Sequence, residues 1–184
     1  MKTKISQIVI GFLAVLLLAI APAVVFAQRG VDTNPQLARR VRRDLVTLPY
    51  YGVFDNLAYQ INGGTVTLYG EVVRSSTRSD AEGRVKRLPG VTRVVNNIKV
   101  LPLSGFDDDI RRATYRSIAR MGGLYRYLQG TNPSLHIVVD RGHVALEGVV
   151  SNSADRNLAY MAASRVPGVF SVQNNLRVEG EEPR

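Results

Sequence analysis

The chain has 184 residues, of which 45% are hydrophobic and none is cysteine, and its formal net charge is +9 at pH 7. This size and composition indicate one or two globular domains, and the missing cysteines exclude a disulfide framework, thiol chemistry and a lipid-carrying cysteine. The positive charge favours an anionic partner, such as a phospholipid surface, nucleic acid or an acidic polysaccharide.

Residues 1–27 have the pattern of a secretory signal peptide. Lys2 and Lys4 give a basic start, residues 8–20 form an uncharged apolar run, and Ala27 closes a small-residue cleavage site. We predict cleavage after Ala27 and a periplasmic or secreted protein, with a retained membrane anchor as the alternative. Removal of Lys2 and Lys4 lowers the formal charge from +9 to +7. Export makes nucleic acid the least expected of the anionic partners.

A first helix is predicted over residues 36–48, after a polar and flexible segment at residues 28–35. Leu37, Val41 and Leu45 share one stripe of this helix. Arginines spread over the positions that this stripe leaves free: Arg39, Arg40, Arg42 and Arg43.

Two segments of alternating polarity, residues 57–62 and 65–72, are separated by Gly63 and Gly64. This pattern predicts a β-hairpin with a two-residue turn. We expect both glycines, and Gly142 in a later hairpin, to supply the positive φ that such turns require.

A second helix over residues 77–87 and a third strand over residues 92–100 complete the unit. Thr77 is the expected N-cap of the helix. Asn96 shares the parity of the apolar residues in the strand. We expect its amide to hydrogen-bond to the backbone rather than to a ligand, because buried polar groups need partners.

The segment at residues 64–100 recurs without a gap at residues 142–178. Of the 37 aligned positions 16 are identical, at a constant offset of 78 that Gly70 and Gly148 illustrate. Repetition at this level indicates two small tandem domains rather than a solenoid, which needs more copies.

The second copy is predicted to begin with a helix over residues 107–121 and to contain a longer connection at residues 122–134. In each copy the hairpin makes the first two strands antiparallel, and the helical crossover makes the third parallel to the second. The predicted fold class is α+β, with two tandem αββαβ domains that each have a three-stranded mixed sheet with two helices on one face. The predicted bounds are residues 36–101 for the first domain, 102–106 for a linker, 107–179 for the second domain and 180–184 for a tail.

Three short motifs occur in both copies. They are Val66-x-Leu68-x-Gly70-x-Val72, Pro89-Gly90-Val91 and Val94-x-Asn96-x-Ile98-x-Val100, repeated as Val144-x-Leu146-x-Gly148-x-Val150, Pro167-Gly168-Val169 and Val172-x-Asn174-x-Leu176-x-Val178. On these motifs each copy resembles the BON domain, and the exported pair is similar to the osmotically inducible periplasmic proteins of the OsmY type. The resemblance implies non-enzymatic, cofactor-free binding to anionic phospholipid at the cell envelope, in support of envelope integrity or osmotic stress tolerance.

The histidines His136 and His143 fall on the two arms of the second hairpin. Asp140 and Glu147 share their polar sheet face, so these four side chains are candidate zinc ligands. The two histidines are not cross-strand partners, and the first copy has no equivalents. We therefore interpret this face as a solvated sheet surface and predict no metal site. The chain also has no serine nucleophile motif, and we predict that it is not an enzyme.

A basic stripe lies on the first helix of the second copy, where arginines recur at every fourth residue. Aromatic residues follow it, and amphipathic rings beside cations suit a membrane interface. The predicted lipid-contacting residues are Arg112, Arg116, Arg120, Tyr125, Arg126 and Tyr127. A solvated basic face is the structural alternative. The functional alternative is an adaptor that binds an envelope protein or a peptidoglycan-associated partner through the open sheet face.

Overall fold

The computed structural model describes residues 34–181. The predicted signal peptide, residues 28–33 and residues 182–184 of the predicted tail lie outside the described residues. Helices and strands follow the order helix, strand, strand, helix, strand in each copy. The predicted α+β fold with two tandem αββαβ domains is thereby confirmed. Within residues 34–181, no helix combines the length and the apolarity that crossing a membrane requires.

The first domain consists of two helices and one sheet: α1 (Pro35–Val46), β1 (Asn56–Asn62), β2 (Thr65–Val72), α2 (Ser75–Lys86), β3 (Arg93–Asn96) and β4 (Lys99–Val100). β1 and β2 are antiparallel, and their register pairs Asn62 with Thr65, as the two-residue turn predicts. β3 and β4 both run parallel to β2. The predicted third strand is therefore present but interrupted.

The second domain repeats this arrangement with α3 (Gly105–Ala119), a 3-10 helix (Leu124–Tyr127), β5 (Leu135–Asp140), β6 (His143–Val150), α4 (Ser153–Ser164) and β7 (Ser171–Val178). Val144 pairs with Val172 in parallel, as Val66 pairs with Val94 in the first domain. The extra residues of this copy lie in the connection at residues 122–134, where the sequence places them, and they include the 3-10 helix.

The helices begin earlier than the apolar pattern predicts. Asn34 caps α1, with its Oδ1 accepting a hydrogen bond from the backbone N–H of Gln36 at 3.0 Å. Ser104 caps α3 in the same way, so that α3 begins at Gly105, two residues before the predicted start at Asp107. The assignment of Thr77 as the N-cap of α2 was wrong, because α2 begins at Ser75 and the side chain of Thr77 is buried. An exposed first turn carries no apolar residue to mark it, so helix starts are poorly fixed by periodicity.

The hairpin glycines have different roles. Gly63 and Gly142 have φ of 56° and 80°, which confirms the prediction for these two residues. The prediction was wrong for Gly64, which is absent from the residues with positive φ. A Cβ atom on Gly64 would lie 2.6 Å from Oγ1 of Thr92. Gly64 is therefore required by close packing against the start of the third strand.

The glycine in the middle of each repeated strand motif allows a close backbone approach. Gly70 and Gly148 have φ of 111° and 115°, and a Cβ atom on them would lie 2.0 Å from the carbonyl oxygen of Asn56 and 2.1 Å from that of Ser134. Only glycine accommodates both the backbone angle and the neighbouring carbonyl. These two residues bring the first strand of each hairpin against the second.

The motif asparagines join β3 and β7 to the helices that precede them, α2 and α4. Nδ2 of Asn96 donates to the carbonyl oxygen of Arg78 at 3.2 Å, and Nδ2 of Asn174 donates to that of Arg156 at 3.1 Å. The Oδ1 atom of Asn96 also accepts a hydrogen bond from the backbone N–H of Ile98 at 3.2 Å. The predicted backbone role of this amide is confirmed.

Candidate functional site

Three arginines stand on the exposed side of α3. Arg112, Arg116 and Arg120 are all accessible to solvent, and their four-residue spacing places them in one row. Arg112 forms an ion pair with Asp109 at 2.6 Å. Among residues 34–181, Arg116 and Arg120 have no ion-pair partner. We call Arg112, Arg116 and Arg120 the arginine row.

The opposite side of α3 holds this row outward through buried charged groups. Only 3% of Arg111 is exposed, and its guanidinium donates to the carbonyl oxygen of Val139 in β5 at 2.7 Å. Asp107 is buried as well and accepts hydrogen bonds from the backbone N–H groups of Arg141 and Gly142, at 2.9 and 2.8 Å. α3 is thus fixed to the hairpin of its own domain, and its rotation about its axis is determined.

Tyr127 does not reach the surface, which removes it from the predicted lipid-contacting residues. It is 6% exposed, its hydroxyl donates to Oδ2 of Asp155 at 2.6 Å, and its hydroxyl oxygen accepts a hydrogen bond from the backbone N–H of Ser151 at 3.0 Å. Arg126 donates to the carboxylate of Asp155 at 2.6 Å. Tyr125, in contrast, is 50% exposed. Arg126 and Tyr127 therefore stabilise the connection, and Tyr125 is the aromatic residue that projects from it.

Arg116 lies between two concave regions. On the side of the first domain, an apolar groove of about 240 Å³ is lined by Val53, Phe54 and Tyr115 together with Arg112 and Arg116. The rings of Phe54 and Tyr115 meet edge to face, with their centroids 6.3 Å apart. The groove therefore combines side chains of both domains and places apolar surface directly beside two cations.

On the other side of the arginine row, a cavity of about 380 Å³ lies between α3 and the end of α4. Arg116, Arg120 and Arg165 line it. Arg165 was not among the predicted site residues, because it lies 45 positions after Arg120 and belongs to no basic run. The sequence signal that could have identified it is its position at the end of the helix that packs against α3.

α1 of the first domain also carries exposed arginines. Arg39, Arg40 and Arg43 line a groove of about 360 Å³ together with Gln36. All four residues belong to one helix, and no apolar side chain lines this groove. α1 offers positive charge without the adjacent apolar surface that α3 has.

The outer face of the second sheet, which faces away from its helices, is not the solvated surface that the sequence predicts for His136. Only 6% of His136 is exposed. Its Nδ1 atom lies 3.2 Å from the carbonyl oxygen of Gly52, and its Nε2 atom lies 3.5 Å from the hydroxyl oxygen of Tyr51. Asp140 on the same face pairs with Lys99 of the first domain at 2.6 Å. The β5 part of this face is therefore engaged by the first domain, whereas His143 in β6 and the β7 residues of the face stay exposed.

Burial and hydrogen bonds between the domains shift the pKa values of the groups there. Desolvation lowers the pKa of His136 and raises the pKa of Tyr51 to about 12. Burial, and secondarily the nearby carboxylate of Glu147, raises the pKa of Glu71. The hydrogen bond from Lys99 lowers the pKa of Asp140.

No three histidine, aspartate or glutamate side chains converge as metal ligands within the described part of the chain. A cleft of about 540 Å³ remains between the domains, and side chains of both signs line it: Arg42, Arg177, His136 and Glu147. This mixture selects neither an anion nor a cation.

Comparison with known proteins gives one family. A model of the BON domain matches the chain twice, at residues 33–102 and 107–180. Two solved structures of CdsD, a structural protein of the type III secretion system of Chlamydia trachomatis, are similar. One, a C-terminal domain, is 12% identical, with 81% of this chain and 98% of that chain covered and a TM-score of 0.31. The other is 13% identical, with 79% and 94% covered and a TM-score of 0.29. No curated protein matches the chain.

Proposed function

The chain belongs to the BON-domain family, and from this membership we propose that it binds the anionic phospholipid surface of a cell envelope through α3. Domains of this family bind phospholipids, occur in envelope and osmotic-stress proteins, and are in general non-catalytic. The finer proposal concerns which surface of this chain makes the contact and how.

The observation that carries the proposal is the position of the arginine row beside an apolar groove. Arg112 and Arg116 border the groove that Val53, Phe54 and Tyr115 line. A lipid surface presents anionic headgroups above acyl chains, so a protein surface that combines cations with apolar side chains is complementary to it. α3 and the segment before β1 supply both parts.

The charge of the arginine row is large enough for us to expect measurable binding. A basic residue near an anionic bilayer contributes on the order of 1 kcal/mol. Arg112 contributes less than the other two because Asp109 already neutralises part of its charge. Exposed Tyr125 adds an aromatic ring at the end of α3, and such rings favour the headgroup region.

We further propose that the protein acts outside the cytoplasm, as a periplasmic or secreted protein that supports envelope integrity or osmotic stress tolerance. The signal-peptide pattern of residues 1–27 supports the location. The adaptor alternative has less support, because His136 and Val138 of the sheet face that it requires are buried.

Co-sedimentation with vesicles tests the proposed function. The protein without residues 1–27 is mixed with vesicles of phosphatidylcholine alone or of phosphatidylcholine with phosphatidylglycerol, at low and at high salt. We expect binding to the anionic vesicles only, weakened by salt because exposed charges are screened. Equal binding to both vesicle types, or no binding to either, would contradict the proposal.

A further inference from the structure

The cavity on the α4 side of the arginine row contains an arginine from a different helix. Arg165 is the C-cap of α4 and shares the cavity with Arg116 and Arg120 of α3. Ser117 fixes the two helices to each other there, because its hydroxyl donates to the carbonyl oxygen of Ala162 at 2.7 Å. The three guanidinium groups are thus carried on two helices that are held together.

Within residues 34–181, no carboxylate forms an ion pair with Arg116, Arg120 or Arg165. The residues that line the cavity include no aspartate or glutamate. The acidic residues of the first turns of α3 are engaged elsewhere, since Asp108 pairs with Arg111 and Asp109 pairs with Arg112. Like charges that share one region repel one another unless an anion lies among them.

The helix dipole explains part of this arrangement. A cation at the C-terminus of a helix is favourable, and Arg165 has this position on α4. Arg87 has the same position on α2 of the first domain, at the matching place in the repeat. The dipole therefore accounts for one arginine at each helix end. It does not account for Arg116 and Arg120 in the same cavity as Arg165.

We propose that the cavity between α3 and the end of α4 binds one phosphate group through Arg116, Arg120 and Arg165. We call it the phosphate site. Guanidinium groups bind phosphate oxygens through paired, charge-assisted hydrogen bonds. Val166 and Pro167 form part of the wall, and the three arginines are exposed, so a phosphate group can reach them from solvent. This proposal rests on the proposed function and extends it, because the phosphate site recognises a phosphate group and not only negative charge.

A comparison of two anionic lipids tests whether the phosphate site exists. The protein is titrated with phosphatidylcholine vesicles that contain either phosphatidylglycerol or oleate, adjusted to equal zeta potential. We expect the wild type to prefer the phosphatidylglycerol vesicles. Arg165→Gln should weaken binding to them about fivefold and remove the preference.

Arg87→Gln is the matched control. It removes the same charge from the same position of the other copy, including its interaction with the helix dipole. If Arg87→Gln keeps the preference for phosphatidylglycerol and Arg165→Gln loses it, the phosphate site is supported. Equal behaviour of the two variants, or a wild type without preference, would overturn it.

A second arm distinguishes a lipid headgroup from free phosphate. The chemical shifts of the Arg165 region are followed while inorganic phosphate is added at constant ionic strength. Saturable shifts in the wild type and in Arg87→Gln, but not in Arg165→Gln, identify free phosphate as an occupant. A preference that is seen on vesicles without such shifts identifies the headgroup. If the wild type binds both kinds of anionic vesicle equally, the phosphate site is contradicted and the proposed function stands. If it binds no vesicles, the proposed function itself is contradicted.

Discussion

The Nε2 atom of His136 in the second domain lies 3.5 Å from the hydroxyl oxygen of Tyr51 in the first. Beside this contact, the backbone N–H of Ile137 donates to the carbonyl oxygen of Val53 at 2.7 Å. The segment that joins α1 to β1 thus lies along β5, one of the two edge strands of the second sheet. An unpaired strand edge invites association with other chains, so this segment protects the edge and joins the two domains.

Acidification should weaken this interface. Burial lowers the pKa of His136 below its ordinary value of 6.5, so the unfolded chain takes up this proton at a higher pH than the folded chain. Below 6.5 and above the folded pKa, the unfolded state binds more protons. The free energy of unfolding therefore decreases as the pH is lowered through this window, by up to about 1.4 kcal/mol per pH unit. Urea unfolding at several pH values across the window measures the slope.

A histidine variant tests whether His136 causes this pH dependence. His136→Asn should flatten the pH dependence of the free energy of unfolding. Asp55 and Glu71 have raised pKa values and therefore stabilise the folded state as the pH falls through the range between their folded and unfolded pKa values. The difference between His136→Asn and the wild type removes their contribution. Identical slopes in these two proteins would contradict the interface role of His136.

The glycine of the strand motif should not tolerate a methyl group. Gly148→Ala combines a φ of +115° with a Cβ atom 2.1 Å from the carbonyl oxygen of Ser134. We expect a loss of about 2–4 kcal/mol in the free energy of unfolding. Gly130 also has a positive φ, of +87°, but apart from its own and the adjacent residues no atom of residues 34–181 lies within 4 Å of the position that its added methyl group would take. Gly130→Ala should therefore lose only about 1 kcal/mol, and equal losses in urea unfolding would argue against the close approach.

The hydroxyl of Tyr127 should matter for stability. Tyr127→Phe leaves the carboxylate of Asp155 and the backbone N–H of Ser151 each without one hydrogen-bond partner. Such losses cost about 1–3 kcal/mol when the groups are buried. Tyr125→Phe, at an exposed ring, should change thermal stability by less than about 0.5 kcal/mol. A larger effect at Tyr125 than at Tyr127 would reverse the assignment of the two tyrosines.

The fold was predictable because its determinants are local. Strand register follows from the turn at Gly63 and from the alternation of apolar residues, and the pairing of Asn62 with Thr65 agrees. The repeat then doubles every local signal. The early helix starts were also within reach, since Asn34 and Ser104 are favoured N-cap residues.

The roles of His136 and Tyr127 were not predictable in this way, because their partners are distant in sequence. Comparison of the two copies does not reveal these roles either. The backbone N–H of the residue that follows the second strand of each hairpin is an example. In the first domain the N–H of Val73 donates to the carboxylate of Asp55. In the second domain the N–H of Ser151 donates to the hydroxyl oxygen of Tyr127. The two copies satisfy one requirement with unrelated residues, so alignment of the copies hides the role of both.

The proposed membrane surface on α3 is tested most directly by two matched triple variants. Arg112, Arg116 and Arg120 are replaced by Gln in one, and Arg39, Arg40 and Arg43 of α1 in the other. Both remove three positive charges and retain a good helix former, and circular dichroism checks that both are folded. Affinity for phosphatidylglycerol-containing vesicles is then measured. We expect the α3 variant to bind at least about tenfold more weakly than the α1 variant. Loss of binding in the α1 variant, with binding retained in the α3 variant, would place the surface on the first domain and contradict the proposal.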